Sequence, residues 1–307
     1  MRGAVAGPAA ETGWCAKAPP PCSGLRWSVA IAALVLTLVQ PSAVRGHGEV
    51  HLRILALTQQ IEKATNNAAQ LYLERGELER EHGLWEAAAA DYDRVAELAP
   101  DLPGVDLGRA RLAADRGQLD VARAIFDRAL QRHPGDGECL VGRARVLMKL
   151  DQRQAAIADY WSGLERLREP QPEYVLELAR ALAAEGQVEE ALRALDEGIK
   201  KLGPILQLQG YALELELGRK NNDAALARLE TILARAMRKE SWFARRGDIL
   251  LEAGRPAEAR NSYEAALAAV KRLPGRLQQS PSMVKLLTHI NAALAGITQG
   301  PPAGQSK

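Results

Sequence analysis

From residue 50 onward the apolar positions recur at three- and four-residue intervals in short runs, each broken by a polar or glycine-containing turn. This is the signature of a succession of amphipathic helices, and nowhere does the strict alternation of a half-buried strand persist. Residues 50–65 place Ile54, Leu57 or Thr58, and Ile61 on one face. Residues 282–297 do the same with Met283, Leu286, Leu287, Ile290 and Leu294. One segment departs from the pattern. Residues 28–39 form a continuous uncharged apolar run preceded by Arg26 and followed by the small, helix-breaking stretch Gln40 to Gly46. Twelve residues rise about 18 Å as a helix, short of the roughly 30 Å hydrocarbon core. Residues 1–46 are therefore read as a cleaved secretory signal, with cleavage after Ala43 or Gly46, giving a periplasmic or secreted protein with no stable membrane span.

Between the two flanking helices the chain repeats. Ala88, Ala122 and Ala156 are 34 residues apart, and so are Ala191, Ala225 and Ala259. Four residues after each comes a large side chain: Tyr92, Phe126, Tyr160, Leu195, Leu229 and Tyr263. Twelve before each comes, with one exception, a small one: Gly76, Ala110, Ala144, Ala179, Leu213 and Gly247. Gly83, Gly117, Gly186 and Gly254 hold one phase, with Asp151 and Lys220 standing in it in the third and fifth repeats. Pro100 and Pro134 hold another. Small residues let two helices approach, and the large residue one turn on fills the groove between them. Glycine supplies the positive φ that ends the first helix, and proline stops the second.

A 34-residue helix-turn-helix unit with these markers resembles the tetratricopeptide-repeat family, from about Ala69 to about Leu273. The resemblance implies an all-α fold, an α-solenoid of about six repeats with a capping helix at each end. The expected organisation is signal 1–46, N-terminal capping half repeat 47–68, repeats 69–273, C-terminal cap 274–298 and a disordered tail 299–307.

Composition agrees with a helical chain and removes several functions. Ala and Leu dominate, and aromatics are only 4%, so a β-rich fold is excluded. Forty Lys+Arg against 38 Asp+Glu leave a net charge of +2, and no nucleic-acid partner is expected from it. The chain contains no CxxC, HExxH, GxxxxGK[ST] or GxSxG pattern. An enzyme is not expected, and neither is a cofactor. Cys139, the one cysteine beyond the signal, is read as a small buried residue.

The candidate chemistry lies in two rows. Arg75, Arg109, Arg143 and Arg246 share position seven of their repeats, and the resemblance implies ion pairs from Arg75 to Asp91 and from Arg143 to Asp159. Position nine, which in this family faces the concave groove, carries Glu77, Arg111, Arg145, Arg180, Glu214 and Asp248. Three stacked arginines flanked by acids suit an acidic or C-terminal peptide segment, because guanidinium holds a carboxylate through a two-pronged fork. Such a row needs anionic relief, from Glu138 and Glu173 or from a partner. The expected function is a non-catalytic scaffold that holds a peptide or protein. The alternative is copper or zinc binding at a mature N-terminus by His47 and His51, both nitrogen donors.

Overall fold

The computed structural model describes residues 43–299, of which those from Glu49 onward belong to one compact unit. The expected signal up to Ser42, and the tail from Gly300, lie outside the described residues. Among the described residues there are only helices. The N-terminal helix α1 (Ala43–Lys63) starts earlier than the expected 50–65, and its first residues take in the small stretch read as a cleavage site. Six pairs follow: α2 (Ala68–Glu81) with α3 (Trp85–Leu98), α4 (Val105–Asp115) with α5 (Leu119–Arg132), and α6 (Gly137–Lys149) with α7 (Arg153–Arg166). Then come α8 (Pro172–Ala184) with α9 (Val188–Leu202), α10 (Leu206–Gly218) with α11 (Asn222–Arg235), and α12 (Glu240–Glu252) with α13 (Pro256–Lys271). A single turn, α14 (Gly275–Gln278), leads to α15 (Pro281–Gln299). The fold is an α-solenoid in which each pair packs on the next in chain order.

The six turns within pairs share one construction. In each, the backbone N–H three residues past the helix end donates to a carbonyl five residues back, as from Leu84 to Glu79 and from Arg255 to Leu250, both at 2.8 Å. That closure demands a left-handed residue in between. Glycine provides it four times, but Asp151 and Lys220 adopt it with φ of 58° and 59°.

The core follows the 34-residue phase. All six marker alanines are completely buried, and the large residues four positions later are no more than 2% exposed. Gly76 and Gly247 lie directly against rings. A Cβ on Gly247 would sit 2.6 Å from the Tyr263 ring, and one on Gly142 would sit 2.5 Å from Phe126 Cζ. The Tyr92 ring thus packs on Gly76 of its own first helix and on Gly108 of the next pair, Phe126 packs on the first helix of the next pair, and Tyr263 on its own. Repeat five manages without the small residue. Leu213 and Leu229 are both fully buried there, so branched aliphatic packing replaces the glycine–ring contact.

The ends are closed by helices. Leu57 of α1 is buried, and Arg53 reaches Glu74 of α2 at 2.8 Å. At the other end Ile290 is fully buried against the α12 and α13 core, with Leu286 and Leu294 packed beside it. His289 Nε2 contacts Asp248 Oδ1 at 2.7 Å, which ties α15 to the last repeat.

Candidate functional site

The position-seven arginines join second helices. Arg75 binds Asp91 through Nε and Nη2 at 2.7 and 2.6 Å, and Arg143 binds Asp159 in the same fork at 2.6 and 2.8 Å. Arg143 also reaches back to Asp127 at 2.8 Å, and Arg246 spans Glu230 and Ser262. Arg109 pairs with Asp93 of the preceding second helix. Sixteen residues forward or back is therefore the reach of this row, and each arginine staples helices of the stack. These residues are structural.

The position-nine row divides by chemistry. Glu77 and Asp248 accept from the buried hydroxyls of Tyr92 and Tyr263, at 2.9 and 2.7 Å. Burial in contact with these carboxylates pushes both phenols far above their ordinary value, since ionising would put two anions side by side. Where position nine is Arg111 or Arg180, the ring residue has no hydroxyl: Phe126 and Leu195 take its place. Repeat three has both Tyr160 and Arg145, and Glu177 from α8 reconciles them. Its carboxylate receives Arg145 Nε and Nη2 at 2.8 Å each, and the Tyr160 hydroxyl at 3.1 Å.

These contacts form a continuous polar chain across three repeats. Arg111 Nη2 and the Tyr174 hydroxyl both donate to Glu138 Oε2, at 2.7 and 2.9 Å. The Arg145 guanidinium lies over the Tyr174 ring, 4.8 Å from its centroid. Tyr174 is pushed up to about 12, by burial and then by Glu138. Arg145 is raised chiefly by its hydrogen bonds to Glu177. Two of the three arginines are therefore relieved within the protein, one by Glu138 and one by Glu177, which the sequence reading did not single out. Glu173 makes no ion pair among the described residues. Arg180 is exposed and has no carboxylate partner among them; its contact is the Tyr211 ring, at 5.8 Å. Glu214, at the far side of the row, is exposed and pairs with Arg245 at 3.2 Å.

A cavity of about 250 Å³ opens on this floor, lined by Arg80, Arg111, Arg145, Lys149, Gln171 and Tyr174 among others. Arg80 is held by Glu77 and Asp115, at 2.9 and 2.7 Å. Lys149 has no ion pair among the described residues. Gln171, Tyr174 and Lys149 were not anticipated as lining. The signal for this neighbourhood is an offset of 17 residues from Tyr160 to Glu177, which places position six of one repeat against the ring of the repeat before. A second cleft, of about 470 Å³, lies beside α7 and α9 where Arg193 stacks on Trp161 at 4.7 Å.

The remaining candidates separate cleanly. His51 is exposed on α1, and the His47 side chain lies outside the described residues. Among the described residues no three potential ligands come together, so nothing supports a metal site. Cys139 is buried, and burial pushes its thiol up to about 12, which leaves it unreactive. Trp85, at the start of α3, is 37% exposed.

Two family profiles match the chain. One described as tetratricopeptide repeat matches residues 73–137 and 107–161, and one described as tetratricopeptide repeat-like domain matches residues 205–281. Among solved structures, yeast Tom70 is similar over 76% of this chain and 46% of that one, at 19% identity and a TM-score of 0.50. A tetratricopeptide repeat protein from Parabacteroides merdae is similar over 81% of this chain and 95% of that one, at 18% identity and a TM-score of 0.45. YrrB, described as having an unusual peptide-binding site, is similar over 66% of this chain and 97% of that one, at 14% identity and a TM-score of 0.48. No curated protein matches in sequence.

Proposed function

Because the chain belongs to the tetratricopeptide-repeat family, we propose that it is a non-catalytic scaffold that receives an acidic peptide segment on its first-helix face. The observation that carries this reading is the cavity over α4, α6 and α8, where Arg80, Arg111, Arg145 and Lys149 outnumber Glu81 and Asp115. Arg111 and Lys149 bring donors to it beyond those spent within the protein, since Arg111 offers five N–H groups and uses one on Glu138. Arg180, free of carboxylates, extends the row by one repeat. A peptide carboxylate entering here meets charge already oriented by Glu138 and Glu177, which lowers the ordering cost of capture. Export is part of the proposal and rests on the apolar run 28–39 alone.

The test is binding of a fluorescent acidic peptide to the wild type and to Arg180→Glu, an exposed position whose reversal leaves the folded core intact. The expected result is weaker capture by the variant, with a difference that shrinks at high salt. Equal affinity at low salt overturns the acidic-segment reading. N-terminal sequencing of the secreted product tests export, and a product beginning at Met1 overturns it.

A further inference from the structure

Every second helix ends at a short connection to the next first helix, and antiparallel pairing puts these connections on one edge of the stack. Lys201 shows the adjacency. From the last turn of α9 its Nζ donates to the Leu164 carbonyl in the last turn of α7, at 2.6 Å. On the first half of this edge the charges are mixed: Arg132 pairs with Asp106, and Arg166 and Arg168 alternate with Glu165, Glu169 and Glu173.

The second half is different. Lys200, Arg235, Lys239, Lys271, Arg272 and Arg276 occupy three successive connections and their flanking turns, and none makes an ion pair among the described residues. Glu240 is buried and committed to Arg238. After Glu264 the sequence has no Asp or Glu through to its last residue. The helix dipole accounts for Lys200, Arg235 and Lys271, which sit in last turns. It opposes Lys239, which is the N-cap of α12. It also does not account for the apolar side chains between the cations. Met237 is 100% exposed between Arg235 and Arg238, and Leu206 and Leu277 are 44% and 39% exposed on the neighbouring connections.

We propose that this edge docks on an anionic phospholipid bilayer. The cations meet the headgroups, and Met237, Leu206 and Leu277 enter the interfacial layer. A nucleic acid fits less well, because residues 199–206, 235–240 and 271–279 contain no aromatic on which a base could stack. The contact is peripheral: no helix among the described residues is long and apolar enough to cross a membrane.

The experiment is co-sedimentation of the full chain with vesicles of phosphatidylcholine alone or mixed with phosphatidylserine, at low and high salt. Three chains are compared: the wild type; the triple variant Lys239→Glu, Lys271→Glu, Arg272→Glu; and a charge-matched control away from this half of the edge, Lys63→Glu, Arg123→Glu, Arg128→Glu. All six positions carry no ion pair among the described residues, and circular dichroism verifies that each variant is folded. The expected result is retention that requires phosphatidylserine, falls at high salt, weakens about tenfold or more in the triple variant, and persists in the control. Met237→Ser should weaken retention without changing its salt dependence. The neutral vesicles separate out any partition of the apolar run 28–39, which responds to neither salt nor the triple variant. Equal retention on both lipids, equal loss in both variants, or capture of single-stranded RNA without retention on phosphatidylserine overturns the proposal.

Discussion

Arg145 and Glu177 are joined by two N–H···O contacts of 2.8 Å each across the boundary of the third and fourth helix pairs. The fork holds the guanidinium against the Tyr174 ring and gives the Tyr160 hydroxyl its acceptor, so one carboxylate orients the middle of the polar chain. Glu177→Gln keeps the volume and an acceptor while removing the charge. Both partners are about a third exposed, so the expected loss of stability is modest, about 1–2 kcal/mol. Arg145 would then lack its counter-charge, and an acidic peptide should bind more tightly than to the wild type. Chemical denaturation and peptide titration measure the two effects. A stability loss with unchanged peptide affinity would make the pair purely structural.

Lys220 holds a left-handed backbone with φ of 59° that four other repeats assign to glycine, and its side chain is exposed. Lys220→Gly relieves the Cβ clash and loses no packing. Stability should rise by about 0.5–1 kcal/mol after the extra unfolded-state entropy of glycine is offset. Asp151→Gly should gain less, because Asp tolerates this conformation better and Asp151 contacts Arg153 at 2.9 Å. Thermal unfolding ranks the two, and the reverse order would refute the strain argument.

Gly142→Ala inserts a Cβ 2.5 Å from Phe126 Cζ in a fully buried contact. Overpacking of this kind costs about 1–3 kcal/mol. Phe126→Leu on the same background should restore part of it by removing the ring edge. Gly210, with nothing within 4 Å of its would-be Cβ, is the internal control. There, alanine should stabilise α10 by about 0.5–1 kcal/mol through helix propensity.

Glu79 supplies a pH signature. Burial first, and Asp91 second, raise its carboxyl from an ordinary 4.5 to about 7, although Arg75 partly opposes the shift. One of its oxygens, Oε2, is buried without a hydrogen-bond partner. The folded chain therefore holds this proton more tightly than the unfolded chain. Its stabilising contribution is complete below about pH 4.5 and is lost as pH rises through about 7. Glu79→Gln should flatten the stability profile across that window and be more stable than the wild type above it. Denaturation midpoints measured from pH 4 to pH 8 check the sign, and parallel profiles would contradict it.

The repeat itself was legible in the sequence because packing along a helix stack is periodic. Ala88, Ala122, Ala156, Ala191, Ala225 and Ala259 are all at zero exposure because each occupies the same close approach between two helices, and only a small residue fits there. The forks from Arg75 to Asp91 and from Arg143 to Asp159 were legible for the same reason, since both partners lie within one 34-residue unit. The polar floor was not. Its contacts run between units: Arg145 to Glu177, Arg111 to Glu138, Tyr174 to Glu138. Which carboxylate neutralises a given arginine depends on how one pair of helices is set against the next, and several acids in each repeat lie within a side chain's reach. Position nine told which residues share a row, while the stacking of α4, α6 and α8 decided that Arg111 and Arg145 are paired and that Arg180 is left with a tyrosine ring. The cationic edge has the same origin. Lys200, Lys239 and Arg272 are far apart in the chain and balanced in the overall charge, and only the antiparallel fold of each pair brings their connections to one side.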